Sequence, residues 1–560
     1  MYWLIWPGTY TYTLGFRARV TRPAEACGWF ISRSKNMVYD AKSSVRWAVA
    51  AALAASMVPC AARASTWTGA VSNSWSTSAT GNWTGGVPQA AGDVADVTAD
   101  IGATTTITVD SAIKVGTLNI GDSTSPYAAY VISPGSGTLT FQSSSGSAVL
   151  KQNAPGNSNS TVGAFILASN LDITDASTAQ FTLNGAISGT GNITVTSSNK
   201  GRVYLSAPAG GSSYIGNLTI DGGSVLSGSV GDAVFGNTSI ATGYRTITVN
   251  NNATLQLNGN LGLSANRKLV SGTGGSIINM NSKTLTVGTA DQLSGSTTMA
   301  IGSASASIFT VNSTNSNFTG TLSLGTANGL TGGANTLNLN AATAINGNVT
   351  IAGTSSAVVG AAGSLGNSSV VSISNTTAAF NTSAQAGYTE TAGQTVKGVG
   401  TWTVASTGTT HLAGITSIGN SHNSGGAAST LTITGGSISL EGETQFDLFT
   451  AAGSADLLSA PSVGYGGFLR VANPTSIALA DGEAWQLFNG TRVGTTTFNN
   501  TFAYNDPNLP TLTSSQKWVF DYGTGTLSIT AVPEPASAAT LLAIGGLSVL
   551  SRRRRSAVRA

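Results

Sequence analysis

The stretch TLSLGTANGLTGGANTLNL, residues 321–339, contains one four-residue unit twice, as TLSL at 321–324 and TLNL at 336–339. In each unit polar and apolar residues alternate, and residues rich in Gly and Asn separate the two units. Successive side chains of a β-strand point to opposite faces, so the leucines would share one face and the polar residues the other. The unit therefore predicts a strand with one buried face.

The same unit recurs along the chain, at 117–120, 138–141, 217–220, 254–257, 284–287, 430–433 and 526–529. Neighbouring units start about 15, 21, 30 or 37 residues apart, so the repeat is degenerate. Rungs of a right-handed parallel β-solenoid (β-helix) would bury each inward face on the next rung. A string of small β-sandwiches is the competing architecture. The charge-poor composition and the lack of evenly spaced hairpins favour an all-β solenoid over residues 65–440.

Charged and bulky residues become more frequent from about residue 438. Residues 441–531 include a set of aromatic residues, Trp485, Phe488, Tyr504, Trp518, Phe520 and Tyr522. We interpret 441–531 as a β-sandwich-like cap domain, because the exposed last rung of a solenoid invites edge-to-edge association.

The chain has 560 residues, of which 8% are charged, against about 25% in an average soluble domain. Residues 1–64 and 532–560 hold 13 of the 25 basic residues but only 3 of the 22 acidic ones, which leaves residues 65–531 with a net charge near −7. A nucleic-acid-binding protein needs clustered Lys and Arg. The composition therefore excludes nucleic acid as a partner of the body.

Residues 37–64 have the parts of a secretory signal peptide. Lys42 and Arg46 form a basic region, and 47–58 is an apolar run of about 12 residues, too short to span a bilayer core of about 30 Å. A small-x-small motif follows, which signal peptidase requires. The predicted cleavage site consists of Ala62, Ala64 and Ser65.

Residues 1–36 resemble neither a signal nor a domain, and Met37 stands where a start is expected. We interpret 1–36 as an upstream segment from a misassigned start; a long basic region of the signal is the alternative. Both cysteines, Cys27 and Cys60, precede the predicted cleavage site, so we expect a mature body without disulfides.

The C-terminal segment 532–560 has three parts in order: VPEP at 532–535, an apolar segment at 536–550 and RRRR at 552–555. This order resembles the PEP-CTERM sorting signal of exported proteins of Gram-negative bacteria. The residues that carry the resemblance are Val532, Pro533, Glu534, Pro535, Arg552, Arg553, Arg554 and Arg555.

The resemblance implies an exosortase-type enzyme as a partner that processes the tail during export. It also implies transient anchoring in the inner membrane through a short transmembrane helix, with the arginines on the cytoplasmic side. The mature protein would then reach the cell surface or the extracellular matrix. An ordinary single-pass tail anchor is the alternative, but it does not explain the Pro-Glu-Pro.

The body is similar to the passenger-type repeats of autotransporter-like surface proteins. Residues 205–220, which end in SYIGNLTI, resemble one repeat, and GQTVKGVGTW at 393–402 resembles an element that often follows such arrays. The opening from Trp67 to Asp93 is similar to the N-terminal segments of the same proteins. No C-terminal outer-membrane barrel follows, so we expect export to depend on the sorting tail.

Few residues suit catalysis or metal binding. Asp93, Asp96 and Asp100 fall within eight residues and could bind Ca²⁺ through carboxylate oxygens, although solvated turn acids are the simpler interpretation. Glu441 and Glu443 would share one face of a strand and could form the carboxylate pair that glycoside hydrolysis requires, or simply lie on an exposed strand edge.

His411 and His422 are the two histidines, and no carboxylate lies within several residues of either. Trp67, Trp75 and Trp83 are spaced by eight and could stack on sugars, but packing at the N-terminal rung is the simpler interpretation. We therefore expect no catalytic, cofactor or metal site.

These observations predict an exported, non-enzymatic structural protein of the cell surface or extracellular matrix. The resemblance to the sorting signal implies a role in an exopolysaccharide or biofilm layer. The protein's expected partners are signal peptidase, an exosortase-type enzyme, the inner membrane before processing, and extracellular polysaccharide. The alternative is a solenoid that binds or degrades polysaccharide as a lyase or hydrolase.

Overall fold

The computed structural model of the chain describes residues 63–76, 80–153, 159–197, 201–228, 231–239, 243–325, 333–366, 369–450 and 453–533. The predicted upstream segment, nearly all of the predicted signal peptide and the sorting tail from Glu534 onward lie outside these residues. The two short apolar helices predicted at the ends lie outside them as well. Among the residues described, no helix combines the length and the apolar character needed to cross a membrane.

The described residues form 46 strands and two short 3-10 helices, at Thr80–Asn82 and Gly231–Phe235. The first sixteen strands are β1 Ala64–Thr66, β2 Val94–Val97, β3 Thr105–Val109, β4 Ala112–Val115, β5 Thr117–Ile120, β6 Tyr130–Pro134, β7 Thr138–Phe141, β8 Ala148–Gln152, β9 Thr161–Val162, β10 Phe165–Leu167, β11 Leu171–Asp175, β12 Gln180–Leu183, β13 Ile187–Gly189, β14 Ile193–Ser197, β15 Arg202–Leu205 and β16 Leu218–Asp221. The next sixteen are β17 Ser224–Ser227, β18 Arg245–Asn250, β19 Ala253–Gln256, β20 Leu261–Gly262, β21 Arg267–Ser271, β22 Ser276–Asn279, β23 Thr284–Val287, β24 Leu293–Ser294, β25 Thr298–Gly302, β26 Ser307–Val311, β27 Thr321–Leu324, β28 Asn335–Leu339, β29 Asn348–Ile351, β30 Ser356–Val359, β31 Val370–Ile373 and β32 Ala379–Asn381. The last are β33 Thr389–Glu390, β34 Thr395–Gly398, β35 Thr401–Thr403, β36 Thr409–Leu412, β37 Ile415–Ile418, β38 Thr430–Thr434, β39 Ser437–Leu440, β40 Glu443–Asp447, β41 Leu457–Gly464, β42 Phe468–Ala472, β43 Ala484–Gln486, β44 Phe488–Arg492, β45 Gln516–Asp521 and β46 Thr526–Ala531.

The strands have the alternation that the sequence predicts. In β28, Leu337 and Leu339 are fully buried, while Thr336 and Asn338 lie half-buried on the other face. The same holds in β5, where Leu118 and Ile120 turn inward. Burial of such apolar side chains contributes about 25 cal/mol for each Å² removed from water. The core is therefore one continuous stack of inward Leu, Ile, Val and Phe side chains.

Parallel pairing joins the strands into long sheets. Partner residues in neighbouring strands are 20 residues apart at the closest, as for Thr395 and Ile415, and 32 at the farthest, as for Thr117 and Val149. Each strand of a sheet therefore comes from the next turn of the chain, and the chain winds into an all-β solenoid of about 15 turns. The predicted solenoid is confirmed. The alternative of a string of β-sandwiches is wrong, because sandwiches are built from antiparallel sheets.

Three long sheets and one short sheet make up the solenoid, in these strand orders: β3-β6-β9-β12-β15-β17-β19-β22-β25-β27-β29-β31-β34-β37-β40-β42; β20-β23-β26-β28-β30-β32-β35-β38-β41-β39-β36-β33, with β44 also on β41; β1-β2-β5-β8-β11-β14-β16-β18-β21-β24; and β13-β10-β7-β4.

Both edges of the longest sheet are covered. At the first edge, Trp75 N–H donates to Thr108 C=O at 2.8 Å, so the segment before the first 3-10 helix pairs with β3. At the last edge, the N–H of Leu469 in β42 donates to Asn500 Oδ1 at 2.8 Å. Unpaired strand edges template association, so these contacts protect the two edges of this sheet.

The aromatic-rich segment 441–531 has two parts. β40, β41, β42 and β44 continue the solenoid sheets in parallel register, whereas β43, β46 and β45 form a three-stranded antiparallel sheet. The ring of Tyr465 packs edge-to-face on Phe488 at 5.3 Å and on Phe520 at 5.5 Å, which joins the two parts. The solenoid thus extends beyond residue 440, and the cap that the sequence predicts as sandwich-like is a single small sheet in the described residues.

Candidate functional site

The turn at 419–429, between β37 and β38, carries His422. Its Nδ1 lies 3.0 Å from Oδ1 of Asp447, the last residue of β40 on the next turn of the solenoid. Asp447 is almost fully buried and accepts the N–H groups of Asn423 at 2.8 Å and Ser424 at 3.1 Å. The carboxylate therefore holds the turn in place, and the imidazole lies close to it without the geometry of a hydrogen bond.

A second buried carboxylate, Asp456, packs against the first. Its oxygens accept the N–H of Ser429 at 2.9 Å and the N–H of Asp447 at 3.0 Å. Burial raises the pKa of Asp456 to about 7, although these two hydrogen bonds lower it. A carboxyl that titrates near neutrality beside an imidazole can exchange protons at physiological pH, which is a property of general acids and bases.

Two open clefts lie against these side chains. The larger has a volume of about 480 Å³, and its lining includes His422, Asn423, Arg470, Asn473 and Asn508. The smaller has a volume of about 170 Å³, and its lining includes Asn420, Ser424, Ser429, Asp447 and Asp456. We call His422, Asp447, Asp456 and the two clefts the His422 site; it lies where the last solenoid turns meet the cap.

Glu441 and Glu443 do not form a carboxylate pair. Glu441 lies in the turn before β40 and contacts His411, with both side chains largely exposed. Glu443 begins β40, and Arg470 Nη1 of the next strand lies 3.2 Å from its Oε1. The prediction that the two glutamates share one strand face is wrong, because the strand starts only at Glu443.

Asp93, Asp96 and Asp100 have separate surroundings. Asp93 is buried and accepts the N–H groups of Gln89 and Ala90, both at 3.0 Å, so it shapes a turn. Asp96 accepts Nδ2 of Asn119 from the next turn, and Asp100 is exposed after β2. Over the described parts of the chain, no group of three or more His, Cys, Asp or Glu side chains could hold a metal ion.

The three spaced tryptophans pack together at the N-terminal end. Trp67, Trp75 and Trp83 are 2%, 0% and 4% exposed, and the ring of Trp83 lies 5.1 Å from that of Trp67 and 4.8 Å from that of Trp75. Their faces are covered by protein, so they contribute to the core and are not accessible to a sugar.

The predicted processing sites are described only in part. Ala64 and Ser65 lie in β1, where Ser65 is buried and its Oγ donates to Gly86 C=O at 2.6 Å. Cleavage before Ser65 would leave Ser65 and Thr66 paired with β2. Val532 and Pro533 are exposed after β46; Ala62 and the sorting residues Glu534, Pro535 and Arg552–Arg555 lie outside the described residues.

The sequence did not predict that each histidine lies next to a carboxylate. His411 meets Glu441 and His422 meets Asp447, at separations of 30 and 25 residues. These separations fall within the spacing between partner strands, so one turn of the solenoid brings each pair together. A search 20 to 32 residues further along the chain leaves two candidate carboxylates for each histidine, Glu441 or Glu443 for His411 and Glu443 or Asp447 for His422.

No protein-family model, no curated protein and no solved structure matches this chain. The PEP-CTERM and autotransporter-like resemblances therefore rest on the quoted motifs.

Proposed function

We propose that the chain is an exported, non-enzymatic structural protein of a bacterial cell surface or exopolysaccharide matrix. Its solenoid would be the extended body, and the signal peptide and PEP-CTERM-like tail would direct its export and processing by an exosortase-type enzyme. The observation that carries this proposal is the outer surface of the solenoid, which is poor in charge and carries ladders of polar side chains.

Asparagine side chains link successive turns at one corner of the solenoid. Oδ1 of Asn170 accepts the N–H of Asn192 at 3.0 Å, and Oδ1 of Asn192 accepts the N–H of Asn217 at 2.8 Å. Oδ1 of Asn217 then accepts the N–H of Thr246 at 2.9 Å. Equivalent residues on four turns are therefore linked by neutral hydrogen bonds. Such a ladder stabilises the stacking of the turns into an extended body.

The outward-facing residues of the second-longest sheet, as far as the structure describes them, support the same function. Strands β23, β26, β28, β30, β32, β35 and β38 contain no charged residue, and their outward positions hold mainly Thr, Ser and Asn. Thr434 donates to Thr403 one turn away, with 3.2 Å between the hydroxyl oxygens. Hydroxyl and amide groups of this kind offer donors and acceptors to neutral sugars without attracting nucleic acid.

Several buried acids stabilise turns. Asp93 and Asp506 each accept two or more backbone N–H groups, as Asp447 does. Carboxylates bound in this way fix backbone geometry, and their oxygens are occupied.

Fractionation of the native host with mass spectrometry of the protein's ends tests the proposal. We expect peptides that begin at Ser65 and end before the arginines, in the surface or medium fraction. An intact tail in the inner membrane would contradict export by the sorting signal and would leave a tail-anchored periplasmic protein.

The His422 site favours a second candidate function, the binding or cleavage of polysaccharide. His422 and Arg470 line the cleft of about 480 Å³, and Asp456, a carboxyl with a pKa of about 7, lines the smaller cleft of about 170 Å³. The test is release of reducing or unsaturated ends from exopolysaccharides by the wild type, His422→Ala and the matched control His411→Ala. Activity that only His422→Ala loses supports this function; no activity in the wild type on the host's own polysaccharide contradicts it.

A further inference from the structure

Two arginines lie inside the solenoid on adjacent turns. Arg245 in β18 and Arg267 in β21 are direct partners in parallel register, and each lies on the inward face of its strand, as Ile247 and Leu269 do. Arg245 is 7% exposed and Arg267 is 1% exposed. A guanidinium is always charged, so burial of two of them side by side requires compensating acceptors or negative charge.

The positive charge of Arg267 is compensated by a carboxylate and a backbone carbonyl. Its Nε lies 3.0 Å from Oδ1 of Asp232 in the second 3-10 helix, and its Nη2 donates to Gly236 C=O at 3.2 Å. One buried carboxylate thus balances one of the two positive charges.

Arg245 has no such carboxylate partner among the residues that the structure describes. Its Nε and Nη1 are both buried without a hydrogen-bond partner, and so is the hydroxyl of the fully buried Tyr214. Burial and the neighbouring charge of Arg267 lower the pKa of Arg245. Two arginine donors and one tyrosine donor therefore remain unsatisfied in the core.

The backbone brings these groups into one cluster. Gly236, whose carbonyl accepts Arg267, lies against the ring of Tyr214, since a Cβ added at Gly236 would be 3.0 Å from Tyr214 Cε1. Tyr214 in turn interacts electrostatically with Arg245, Arg267 and Asp232. The cluster has two positive charges and one negative charge, and its unsatisfied atoms are donors.

We propose that a small inorganic anion of the size of chloride binds inside the solenoid beside the guanidinium of Arg245. The anion would accept hydrogen bonds from Arg245 and from the hydroxyl of Tyr214, and it would neutralise the second positive charge. A packed interior admits a ligand only about as large as a water molecule, which favours a halide over an organic anion. A water molecule could accept these hydrogen bonds but would not balance the charge.

Thermal unfolding of the purified protein in sodium chloride and in sodium gluconate, at equal ionic strength, tests the proposal. An anion that binds only the folded state raises the unfolding temperature, here by about 2 °C or more in chloride. We expect Arg245→Met to abolish this difference between the two salts. Arg202→Met, which removes an exposed arginine in β15, serves as the matched control and should keep it.

Crystals soaked in sodium bromide give a readout that does not depend on the variants. We expect an anomalous peak within about 3.5 Å of Arg245 Nε or Nη1. This distance is longer than an ordinary N–H···O hydrogen bond because a bromide ion is larger than an oxygen atom. Equal unfolding temperatures in the two salts, a chloride effect that Arg245→Met retains, or no bromide peak at Arg245 would each overturn the proposal.

Discussion

Nδ1 of His422 lies 3.0 Å from Oδ1 of Asp447, although the two residues are 25 positions apart in the sequence. The contact exists because the turn before β38 and the end of β40 lie on neighbouring turns of the solenoid. Asp447 also accepts two backbone N–H groups of the same turn. One buried carboxylate therefore orders the turn that brings the imidazole next to it.

The substitution Asp447→Asn tests this structural role. The amide keeps the shape but replaces one accepting oxygen with a donor that faces a backbone N–H. We expect the free energy of unfolding to fall by about 2 kcal/mol, measured by urea unfolding. The matched control, Glu441→Gln, alters an exposed side chain and should change it by less than about 0.5 kcal/mol. Equal stability of Asp447→Asn and the wild type would contradict the role.

Glu390 makes stability depend on pH. It is fully buried in β33, its Oε1 has no hydrogen-bond partner in the described part of the chain, and burial raises its pKa from 4.5 to about 8. The folded chain thus binds this proton more tightly than the unfolded chain does. Stability should therefore fall as the pH rises from about 4.5 to about 8, with a contribution in the same direction from Asp456.

The substitution Glu390→Gln should remove the part of this fall that Glu390 causes. At pH 9 we expect the variant to be more stable than the wild type by on the order of 1–3 kcal/mol, and at pH 4 the two should be equal. Urea unfolding at pH 4, 7 and 9 measures this, with the exposed Asp481→Asn as control. A variant that is less stable at pH 9 would show that the ionised carboxylate is needed.

Trp75 supports the N-terminal end of the core. It is fully buried, and its Nε1 donates to Pro88 C=O at 3.1 Å. We expect Trp75→Ala to lower the free energy of unfolding by about 3–5 kcal/mol, whereas Val71→Ala, at a position that is 67% exposed, should have little effect. If Trp75→Ala kept its stability and lost glycan binding, the side chain would instead be a sugar contact.

Gly398, at the end of β34, is required by close packing between turns. Its φ is +138°, and a Cβ at this position would lie 2.0 Å from Ile373 C=O on the preceding turn. We expect Gly398→Ala to lower the free energy of unfolding by at least about 2 kcal/mol, measured by thermal and urea unfolding. Gly102→Ala is the control, since nothing lies within 4 Å of its added Cβ. Equal effects of the two substitutions would contradict this packing requirement.

Local patterns in the sequence predicted the strands and their stacking well. The TLNL unit at 336–339 shows which side chains turn inward, and that information lies within four residues. The start of the cap was harder to predict. Charged residues such as Glu443 suggested a new domain at 441, yet Glu443 occupies one of the more exposed positions of a strand whose Phe446 remains in the core.

Contacts between turns could not be predicted in the same way. Partner residues are between 20 and 32 positions apart, so counting along the chain does not identify the neighbour of a given side chain. The pairs His422–Asp447 and Arg245–Arg267 both depend on this variable spacing. His422 stands out in the sequence as one of only two histidines, but the sequence could not predict that Asp447 lies next to it.

The parallel ladder also has a mechanical consequence. Its backbone hydrogen bonds run from turn to turn, so a force that pulls the two ends apart along the stack loads these bonds one turn after another. The chain would then unfold turn by turn from one end, and each step would release one turn of 20 to 32 residues. Such a shaft would lengthen in stages under tension and dissipate work at each stage before the whole structure is lost.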